Sequence, residues 1–415
     1  MLTSTDLTTA GGDDNGKPVD GHRFALDLVA RIAEDSGFKS YLVGGPVRDR
    51  MLGVSTSDLD ITVVGDAVAV AEKLAADIDG RLTVHQRFAT ATVSTASITI
   101  DLVTARRETY SAPGALPDVE PGHIEDDLAR RDFTINAMAM PLQGSAGEVV
   151  DPYGGRSDLA AGLIRILHPE SFRDDPTRIL RAVRYAARFG FAIEPETASL
   201  MSQALAARAF ATLTGDRVRH ELERTFQEPD PAAPLRLAGD CGVLSAIHPA
   251  LTTRHLPGVG EPVAPLAWLA ALVWPLSANE GAALSARLNA PSDWMRVIGD
   301  TARVRGMAPS LGNVSKPSEV CARLDGLSPD ALRGATMLVD GQVADRIRRY
   351  LSEWWSVAPR LRGTDLLALG VPAGPEMGEA LRALRRARLD GETHSAREEQ
   401  ELARNWAQES DRIAC

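Results

Sequence analysis

The 415-residue chain has little cysteine, little lysine and no long apolar run. Cys241, Cys321 and Cys415 lie far apart and belong to no Cys-x-x-Cys or Cys/His cluster, so the sequence indicates neither a disulfide framework nor a zinc site. No apolar run approaches the roughly 18 residues of a membrane-spanning helix, and the polar first residues do not resemble a signal peptide. We therefore expect a cytoplasmic protein that contacts no membrane.

The chain is acidic, with a net charge of −11 at pH 7, and only four of its 45 basic residues are lysines. This balance argues against a protein whose whole surface binds nucleic acid, so any RNA contact must use a local patch. A candidate patch spans residues 346–388, where nine arginines against four acidic residues give a local charge of +5. We expect RNA to bind there, although a solvated pair of helices would have the same pattern.

Hydrophobic periodicity divides the chain into a mixed first part and a helical remainder. Residues 1–20 are rich in threonine, glycine and aspartate, which predicts a flexible leader. Helical spacing at 21–36 and 67–79 alternates with strand-like runs up to residue 103. From Ser171 the pattern predicts continuous helix, so we expect an α+β fold. The later tryptophans, which we expect to pack in the core, are Trp268, Trp274, Trp294, Trp354 and Trp355.

The stretch Tyr41–Asp66 concentrates residue types that bind phosphate and metal ions. Gly44 and Gly45 follow an apolar run that predicts the end of a buried strand, and a glycine pair lets the backbone turn and approach a bound group. Arg48 lies within reach of that turn, and its guanidinium can hold phosphate oxygens through two parallel hydrogen bonds. The sequence therefore predicts a phosphate site at this turn.

Two aspartates, Asp58 and Asp60, open the next apolar run. Residues two apart on a strand point to the same face, so both carboxylates should project together while Leu59 packs behind them. Adjacent carboxylates repel each other unless a cation lies between them, and oxygen ligands beside substrate phosphates favour Mg²⁺. A lone Asp-x-Asp pair more often marks solvated residues at a strand start. Here the pair closely follows the glycine and arginine motif, which favours a metal site.

These motifs resemble the opening signature of the class II tRNA nucleotidyltransferase and bacterial poly(A) polymerase family. The signature LVGGxVRDxLLGxxxxDxDxxT is met at Leu42–Gly45, Val47–Asp49, Leu52–Gly53, Asp58, Asp60 and Thr62, with Met51 in place of a leucine. The resemblance implies a polymerase-β-like nucleotidyltransferase head followed by an all-α neck, body and tail. It also implies that Asp58 and Asp60 are catalytic and hold two Mg²⁺ ions, while the glycine pair and Arg48 bind the triphosphate.

The run DLARRDFTINAMA at 127–139 also resembles the family. Arginines there can bind phosphate, and a carboxylate or an amide can bind a ribose hydroxyl. A salt-bridged helix start would be the ordinary interpretation of Arg-Arg-Asp alone. The resemblance implies that the run selects the ribose of the incoming nucleotide through Arg130, Arg131, Asp132 and Asn136.

A polar stripe follows, in which Asp175, Arg178, Arg181 and Arg184 recur every three residues and are predicted to share one side of a helix. Such a stripe is more often a solvated face. Asp175 and Arg178, however, fall where the family has EDxxR, with Asp174 in place of the glutamate. The resemblance implies that these two side chains read the base of CTP or ATP.

The stretch from 106 to 122 is rich in proline and glycine and lacks periodicity, which predicts a flexible surface loop. In the family this position holds a loop marked by RxExY, here Arg106, Glu108 and Tyr110, that members adding the terminal A require. The segment RFATATV at 87–93 resembles the members that act on tRNA ends, with Ala89 replacing a glycine.

The resemblance implies an enzyme that adds CCA to the 3′ end of tRNA from CTP and ATP without a nucleic-acid template. No obligatory protein partner is evident. The open alternatives are a poly(A) polymerase, a partial enzyme that adds only CC or only A, and an inactive RNA-binding protein. The expected domains are the leader at 1–20, the head at 21–165, a base-selecting neck at 166–250, a body at 251–355 and a tRNA-binding tail at 356–415.

Overall fold

The structure, a computed structural model, describes residues 21–54, 58–85, 89–109, 111–112, 114–115, 117–144, 148–258 and 263–414. The predicted leader, Arg87, Phe88 and Tyr110 lie outside these residues, as do the side chains of Asp58 and of 409–414. The chain divides into two compact units. The first consists of the described residues up to Arg217 together with the later segment Asp240–Ala246. The second consists of Val218–Gly239 and the described residues from Ile247 onwards. The domain boundaries expected at 165, 250 and 355 stay predictions.

A six-stranded sheet lies at the centre of the first unit, in the order β3-β4-β5-β2-β1-β8. Its strands are β1 (Lys39–Val43), β2 (Asp58–Val64), β3 (Arg81–His85), β4 (Thr90–Ser94), β5 (Thr99–Thr104) and β8 (Ala139–Pro141). Strands β2 and β5 pair in parallel, and the other neighbours pair antiparallel. The sequence pattern predicts strands at 82–85, 91–93 and 98–103, and β3, β4 and β5 confirm these to within a residue at each end.

Helices cover one face of this sheet and then continue along the chain. The helices before residue 207 are α1 (Gly21–Asp35), α2 (Gly45–Met51), α3 (Ala67–Asp77), α4 (Ile124–Ala129), α5 (Gly155–Ala161), α6 (Ser171–Asp174), α7 (Thr177–Phe189) and α8 (Pro195–Ala206). Short 3₁₀ helices lie at Thr134–Asn136 and Ala209–Thr212, and the short strands β9 (Leu163–Ile164) and β10 (Ala192–Ile193) pair in parallel.

The chain from residue 215 is helical. Its helices are α9 (Gly215–Phe226), α10 (Ala232–Asp240), α11 (Val243–Ile247), α12 (Pro265–Val273), α13 (Ala278–Arg287), α14 (Ser292–Leu311), α15 (Pro317–Leu324), α16 (Pro329–Thr336), α17 (Gly341–Arg349), α18 (Gly363–Ala368), α19 (Pro375–Leu389) and α20 (Ala396–Ala414). A π-helical turn, Tyr350–Trp354, continues α17. Within the part of the chain that the structure describes, no helix has the length and apolar character needed to cross a membrane.

Strand β2 alternates between the two faces of the sheet. Leu59, Ile61 and Val63 are buried, and α1 and α3 pack on the sheet. Asp60 is half-buried and points to the opposite face, as expected from the two-residue period of a strand. The predicted burial of Leu59 is therefore confirmed, on the face opposite Asp60.

Two sequence predictions of local structure are wrong. The stretch from 106 to 122 is not a plain loop, because β6 (Arg106–Thr109) and β7 (Asp118–Pro121) form an antiparallel hairpin. Both strands of a two-stranded ribbon are edge strands, and edge strands tolerate proline. The proline content of this stretch therefore did not exclude strands, as the sequence prediction had assumed. The helix predicted from Ser171 breaks at Asp175, which has extended backbone before Pro176. Proline disfavours helical geometry in the preceding residue, which explains the break.

The tryptophans are placed as expected, with one exception. Trp268, Trp294 and Trp354 are buried, and Trp274 packs against a core cluster of the second unit. Trp355 is 60% exposed, so its predicted place in the core is wrong. Consecutive residues of a helix point in different directions, and Trp354 takes the position that faces the core.

Close packing of α12 against α16 yields a test of the second unit. A Cβ atom at Gly334 would lie 2.5 Å from the Cβ of Ala270, so we expect Gly334→Ala to lower the free energy of unfolding by about 1–3 kcal/mol. Gly306→Ala is the matched control in α14, because no described atom lies within 4 Å of its added methyl group. We expect the control to gain about 0.5–1 kcal/mol. All six tryptophans belong to this unit, so urea unfolding followed by tryptophan fluorescence measures both variants. Equal effects of the two substitutions would contradict the packing argument.

Candidate active site

A pocket of about 430 Å³ lies in the first unit and gathers most of the predicted site residues. Its lining residues are Gly45, Arg48, Asp60, Glu108, Pro117, Arg130, Arg131, Asp132, Asn136, Asp175, Arg178, Arg181, Arg184, Tyr185 and Arg188. Among these described residues, seven arginines face four carboxylates, which leaves a formal charge of +3 in a chain of −11. The pocket therefore suits a polyanionic ligand.

The glycine turn holds the backbone close to the pocket wall. Gly44 has φ +69°, and a Cβ atom there would lie 2.2 Å from Nη1 of Arg131, so only glycine fits. The turn leads directly into α2, whose Arg48 is buried. Arg48 donates from Nη1 to Oδ1 of Asn136 at 2.6 Å and from Nε to Asp49 at 2.8 Å. The predicted turn and its arginine thus reach the pocket together.

The strand with the two aspartates lies beside β5, which brings in a third carboxylate. Asp60 and Asp101 are paired in register on neighbouring strands, so their side chains point to the same face. Asp101 accepts a hydrogen bond of 2.5 Å from the hydroxyl of Thr92. Asp58 opens β2 opposite Thr99, but its side chain lies outside the described part of the chain. Among the side chains that are described, no three His, Cys, Asp or Glu residues are arranged to hold a metal ion.

A fully buried carboxylate, Asp127, anchors the Arg-Arg-Asp motif. Its Oδ1 accepts from Nη2 of Arg130 at 2.7 Å, and its Oδ2 accepts from Nη2 of Arg131 at 3.0 Å and from the hydroxyl of Thr62 at 3.3 Å. Burial by itself would raise the pKa of Asp127, but Arg131 and Arg130 outweigh it and hold this pKa below its ordinary value. Asp127 therefore stays charged and fixes both arginines.

A second buried carboxylate, Asp132, lies on the pocket wall. It is paired with Arg181 at 2.7 Å and accepts hydrogen bonds from the Asn136 amide at 3.0 Å and the Phe133 backbone N–H at 2.9 Å. Burial would raise the pKa of Asp132, but Arg181, the Asn136 hydrogen bond and Arg178 hold it below its ordinary value. Asp132 and Asn136, predicted to act together, are in direct contact.

The arginine stripe of α7 is not a solvated face. Arg178 and Arg184 are buried and Arg181 is half-buried, and all three line the pocket. Arg178 donates to the hydroxyl of Ser171 at 2.6 Å and to the backbone carbonyl of Arg130 at 2.8 Å. Asp175 reaches the same pocket from the extended segment before the helix, so the prediction that it lies on the helix is wrong.

Two aromatic rings that were not among the predicted site residues, Phe189 and Tyr185, contact arginines of the site. The guanidinium carbon of Arg48 lies 4.6 Å from the ring centroid of Phe189, and that of Arg184 lies 4.7 Å from the centroid of Tyr185. The two rings stack on each other at 6.1 Å. Cation–π contacts of this kind hold planar guanidinium groups in fixed orientations. Tyr185 directly follows Arg184 and Phe189 directly follows Arg188 in the sequence, so their place beside the arginine stripe could have identified them.

Glu108 and Arg188 complete the wall and were also missing from the predicted site. Glu108 accepts from Arg106 at 2.9 Å and from Arg130 at 3.2 Å, so it joins the β6–β7 hairpin to the Arg-Arg-Asp motif. Glu108 could have been predicted as a site residue, because it is the glutamate of the RxExY motif. Arg188 continues the α7 stripe by one further turn.

The basic patch predicted at 346–388 lies in the second unit and is partly used for internal contacts. Arg385 pairs with Asp325, and Arg388 donates to the backbone carbonyl of Ala358. The exposed members of the patch are Arg348, Arg349, Arg360, Arg362, Arg382 and Arg386. These six arginines carry the exposed positive charge of the patch, and two of them, Arg348 and Arg349, are paired at the surface with Asp345 and Glu353.

The depressed pKa of Asp132 predicts a pH dependence of stability. Its ionised form contributes stability that is complete above the ordinary aspartate pKa of about 3.9 and is lost as the pH falls through the lower folded-state value. We expect Asp132→Asn to cost about 2 kcal/mol at pH 7 and less as the pH falls below about 4. Urea midpoints by far-UV circular dichroism from pH 3 to 7 measure this. Asp345→Asn, at an exposed surface pair, is the control and should keep the wild-type profile. A constant cost across this range would refute the charge argument.

Comparison with known proteins places the chain among RNA-end-modifying enzymes. Residues 40–165 match the family described as poly A polymerase head domain, and residues 190–254 match the one described as probable RNA and SrmB-binding site of polymerase A. The A-adding tRNA nucleotidyltransferase of Halalkalibacterium halodurans is 34% identical over 93% of this chain and 92% of its own length. The CC-adding tRNA nucleotidyltransferase of Deinococcus radiodurans is also 34% identical, over 92% of each chain.

A solved structure agrees over nearly the whole length. The apo form II of a CCA-adding enzyme superposes with a TM-score of 0.77 at 29% identity and covers 96% of this chain and 97% of that one. This confirms the expected fold, a polymerase-β-like head followed by helices. The chain belongs to the tRNA nucleotidyltransferase and poly(A) polymerase family, and it is a nucleotidyltransferase.

Proposed function

We propose that the chain adds C, C and A to the 3′ end of tRNA, taking CTP and ATP as substrates without a nucleic-acid template. The pocket wall at Asp175 and Arg178 carries the proposal. Oδ1 of Asp175 is occupied by protein donors, whereas Oδ2 contacts no donor among the described residues. Cytosine and adenine both present an amino donor on the edge where uracil and guanine present a carbonyl oxygen. An acceptor at this position therefore favours the two bases of the CCA end.

Arg178 supplies the complementary donors. A guanidinium has five N–H groups. Within the described part of the chain, Arg178 donates to two protein groups, the Ser171 hydroxyl and the carbonyl of Arg130. Cytosine O2 and N3 and adenine N1 are acceptors beside the amino group, so a fixed acceptor and fixed donors on one wall can recognise either base. A wrong base leaves buried polar groups unpaired, at a cost of about 1–3 kcal/mol each.

The rest of the pocket suits a nucleoside triphosphate. The Gly44–Gly45 turn, Arg48, Arg130 and Arg131 would hold the triphosphate, and Asp132 with Asn136 would bind the ribose hydroxyls. In the reaction, the 3′-hydroxyl of the RNA loses its proton to solvent, and its oxygen forms a bond to the α-phosphorus. The bond from that phosphorus to the bridging oxygen breaks, and pyrophosphate leaves. Arginines fixed by Asp127 stabilise the charge of the triphosphate without reorganising.

The donor chemistry at the start of β2 fits a divalent metal ion, and we propose Mg²⁺. Asp58 and Asp60 would hold two ions, since carboxylate oxygens beside phosphates are the ligands that Mg²⁺ prefers. Bound Mg²⁺ supplies a lowered pKa at the attacking hydroxyl and positive charge at the leaving oxygens. Asp60 lies on the pocket wall with Arg48 and Arg131, so a metal ion bound to Asp60 would contact the phosphates that these arginines bind.

The exposed arginines of the 346–388 patch are proposed to bind the phosphate backbone of the tRNA. Phosphate contacts by arginine provide affinity without reading sequence, which suits an enzyme that accepts many tRNAs. The neck at 166–250 would then select the base, and the tail at 356–415 would bind the RNA. The cytoplasmic location stays a prediction.

Addition of A alone, or of CC alone, is the second candidate function. Two relatives aligned over more than nine tenths of the chain carry the names A-adding and CC-adding, at the same identity of 34%. The resemblance links a full-length segment at 106–122 to addition of the terminal A. Here that segment contains the β6–β7 hairpin, whose Glu108 pairs with Arg130 and whose connection accepts a hydrogen bond from Arg217 at Gly114.

The test supplies purified protein with tRNA ending before CCA, after C and after CC, together with each nucleotide alone and all four. We expect all three substrates to reach one length that ends in CCA, and we expect UTP and GTP to be refused. Gel electrophoresis with single-nucleotide resolution measures the products. Extension of the CC-ended tRNA alone would identify an A-adding enzyme, and a halt at CC would identify a CC-adding one. A long adenosine ladder would identify a poly(A) polymerase, and no extension would support an inactive RNA-binding protein.

The metal assignment predicts that Asp60→Ala reduces transfer by at least about a thousandfold, because a lost ligand removes charge stabilisation from the transition state. Binding of tRNA should change little, since the proposed RNA contacts lie elsewhere. Extension assays with Mg²⁺ and filter binding of tRNA measure the two effects. Asp77→Ala, an exposed aspartate at the end of α3, is the matched control and should retain activity. Substantial transfer by the Asp60 variant would overturn the assignment.

A further inference from the structure

The two carboxylate oxygens of Asp175 have different surroundings. Oδ1 accepts three hydrogen bonds: from the Thr177 backbone N–H at 3.0 Å, from the Thr177 hydroxyl at 2.6 Å and from Nη2 of Arg217 at 2.7 Å. No donor among the described residues contacts Oδ2, and the side chain lines the pocket. The orientation of the carboxylate, and with it the position of Oδ2, is therefore set by Thr177 and Arg217.

Arg217 also holds the connection of the β6–β7 hairpin. Its Nη1 donates to the backbone carbonyl of Gly114 at 3.0 Å, while the N–H of Gly114 donates to the carbonyls of Arg173 at 3.2 Å and Asp174 at 3.3 Å. The peptide groups of Gly114 are thus held between the end of α6 and the guanidinium. One arginine touches both the hairpin connection and Asp175.

Gly114 is adapted to this close contact. Its φ is +69°, and a Cβ atom there would lie 2.3 Å from the hydroxyl of Thr212. Any other residue would combine backbone strain with a steric clash. The hairpin connection therefore docks through a backbone that only glycine can provide.

We propose that Arg217 is a positioning residue for base selection, which fixes Asp175 and couples its orientation to docking of the hairpin at Gly114. This inference rests on the proposed function, in which Oδ2 of Asp175 accepts from the amino group of cytosine or adenine. Arg217 touches no ligand in this arrangement and acts through Asp175. Removing Arg217 leaves only the two Thr177 hydrogen bonds on Oδ1, so the carboxylate can rotate more widely. Oδ2 is then held less firmly at the position where uracil and guanine present a repelling oxygen.

The experiment compares Arg217→Gln with Arg224→Gln, a matched substitution on α9 at an exposed pair with Glu221. Single-nucleotide addition gives kcat and KM for CTP and UTP on tRNA lacking CCA, and for ATP and GTP on CC-ended tRNA. We expect Arg217→Gln to reduce the CTP/UTP and ATP/GTP ratios of kcat/KM about tenfold or more, mainly through a higher KM for CTP and ATP. The control should keep the wild-type ratios.

Two further variants separate positioning from folding. Arg217→Lys keeps a donor for Asp175 and should recover part of the selectivity. Gly114→Ala leaves Arg217 in place but prevents docking, so it should reduce selectivity in the same direction. Thermal midpoints of all variants are measured in parallel. Wild-type ratios in both Arg217→Lys and Gly114→Ala would overturn the coupling even if Arg217→Gln did not fold.

Asp175→Asn distinguishes failure of this inference from failure of the proposed function. Asparagine keeps an acceptor for Thr177 and Arg217 and places an amide donor at the position of Oδ2, which should shift preference towards UTP and GTP. Combining it with Arg217→Gln should add little further loss of discrimination, because both changes act at one group. If Asp175→Asn alters base preference and Arg217→Gln leaves it within twofold, the role of Arg217 is refuted. If Asp175→Asn leaves preference unchanged, the base-reading assignment itself fails.

Discussion

The pairing of buried Asp127 with Arg130 and Arg131 is the interaction on which the pocket depends. A carboxylate without solvent exposure is strongly unfavourable unless opposite charges and hydrogen bonds compensate for its lost hydration. Both arginines provide that compensation, and Thr62 of β2 adds a hydrogen bond. The same contacts hold two guanidinium groups against the wall and tie α4 to the strand with the aspartates. Burial of one negative charge thus organises positive charge around the ligand.

Much of the head was predictable because its signals are local. The glycine turn, Arg48 and the Asp58/Asp60 pair fall within one short stretch, and two-residue alternation placed Leu59 behind the carboxylates. The Arg-Arg-Asp motif and the α7 arginines also lie in continuous runs, but their assignment to a nucleotide site came from the family resemblance, because the patterns alone favoured a salt-bridged helix start and a solvated face. In each case the residues that meet in the pocket are neighbours in the sequence, or their spacing follows the period of a single element.

The contacts that escaped prediction join distant parts of the chain. Arg217 meets Asp175 across 42 residues and Gly114 across 103, and no pattern within α9 distinguishes it from a surface arginine. Asp175 was placed on a helix because its spacing fits, but Pro176 starts the helix after it. Glu108 was visible as a motif residue, yet its pairing with Arg130 depends on how the hairpin folds back. Pairwise geometry of this kind is set by tertiary structure.

The order of elements along the chain has a consequence for folding during synthesis. The six strands of the sheet are complete once Pro141 has left the ribosome, because β8 pairs with β1. The residues proposed to read the base, Asp175 and Arg178, emerge later, and Arg217 later still. Domains generally fold as units, and the first compact unit includes Arg217 and Asp240–Ala246. The sheet strands are therefore all synthesised well before the first unit can complete its folding. The strand proposed to hold the metal ions is thus made early, and the residues proposed to select the base join it only when the rest of the unit has emerged.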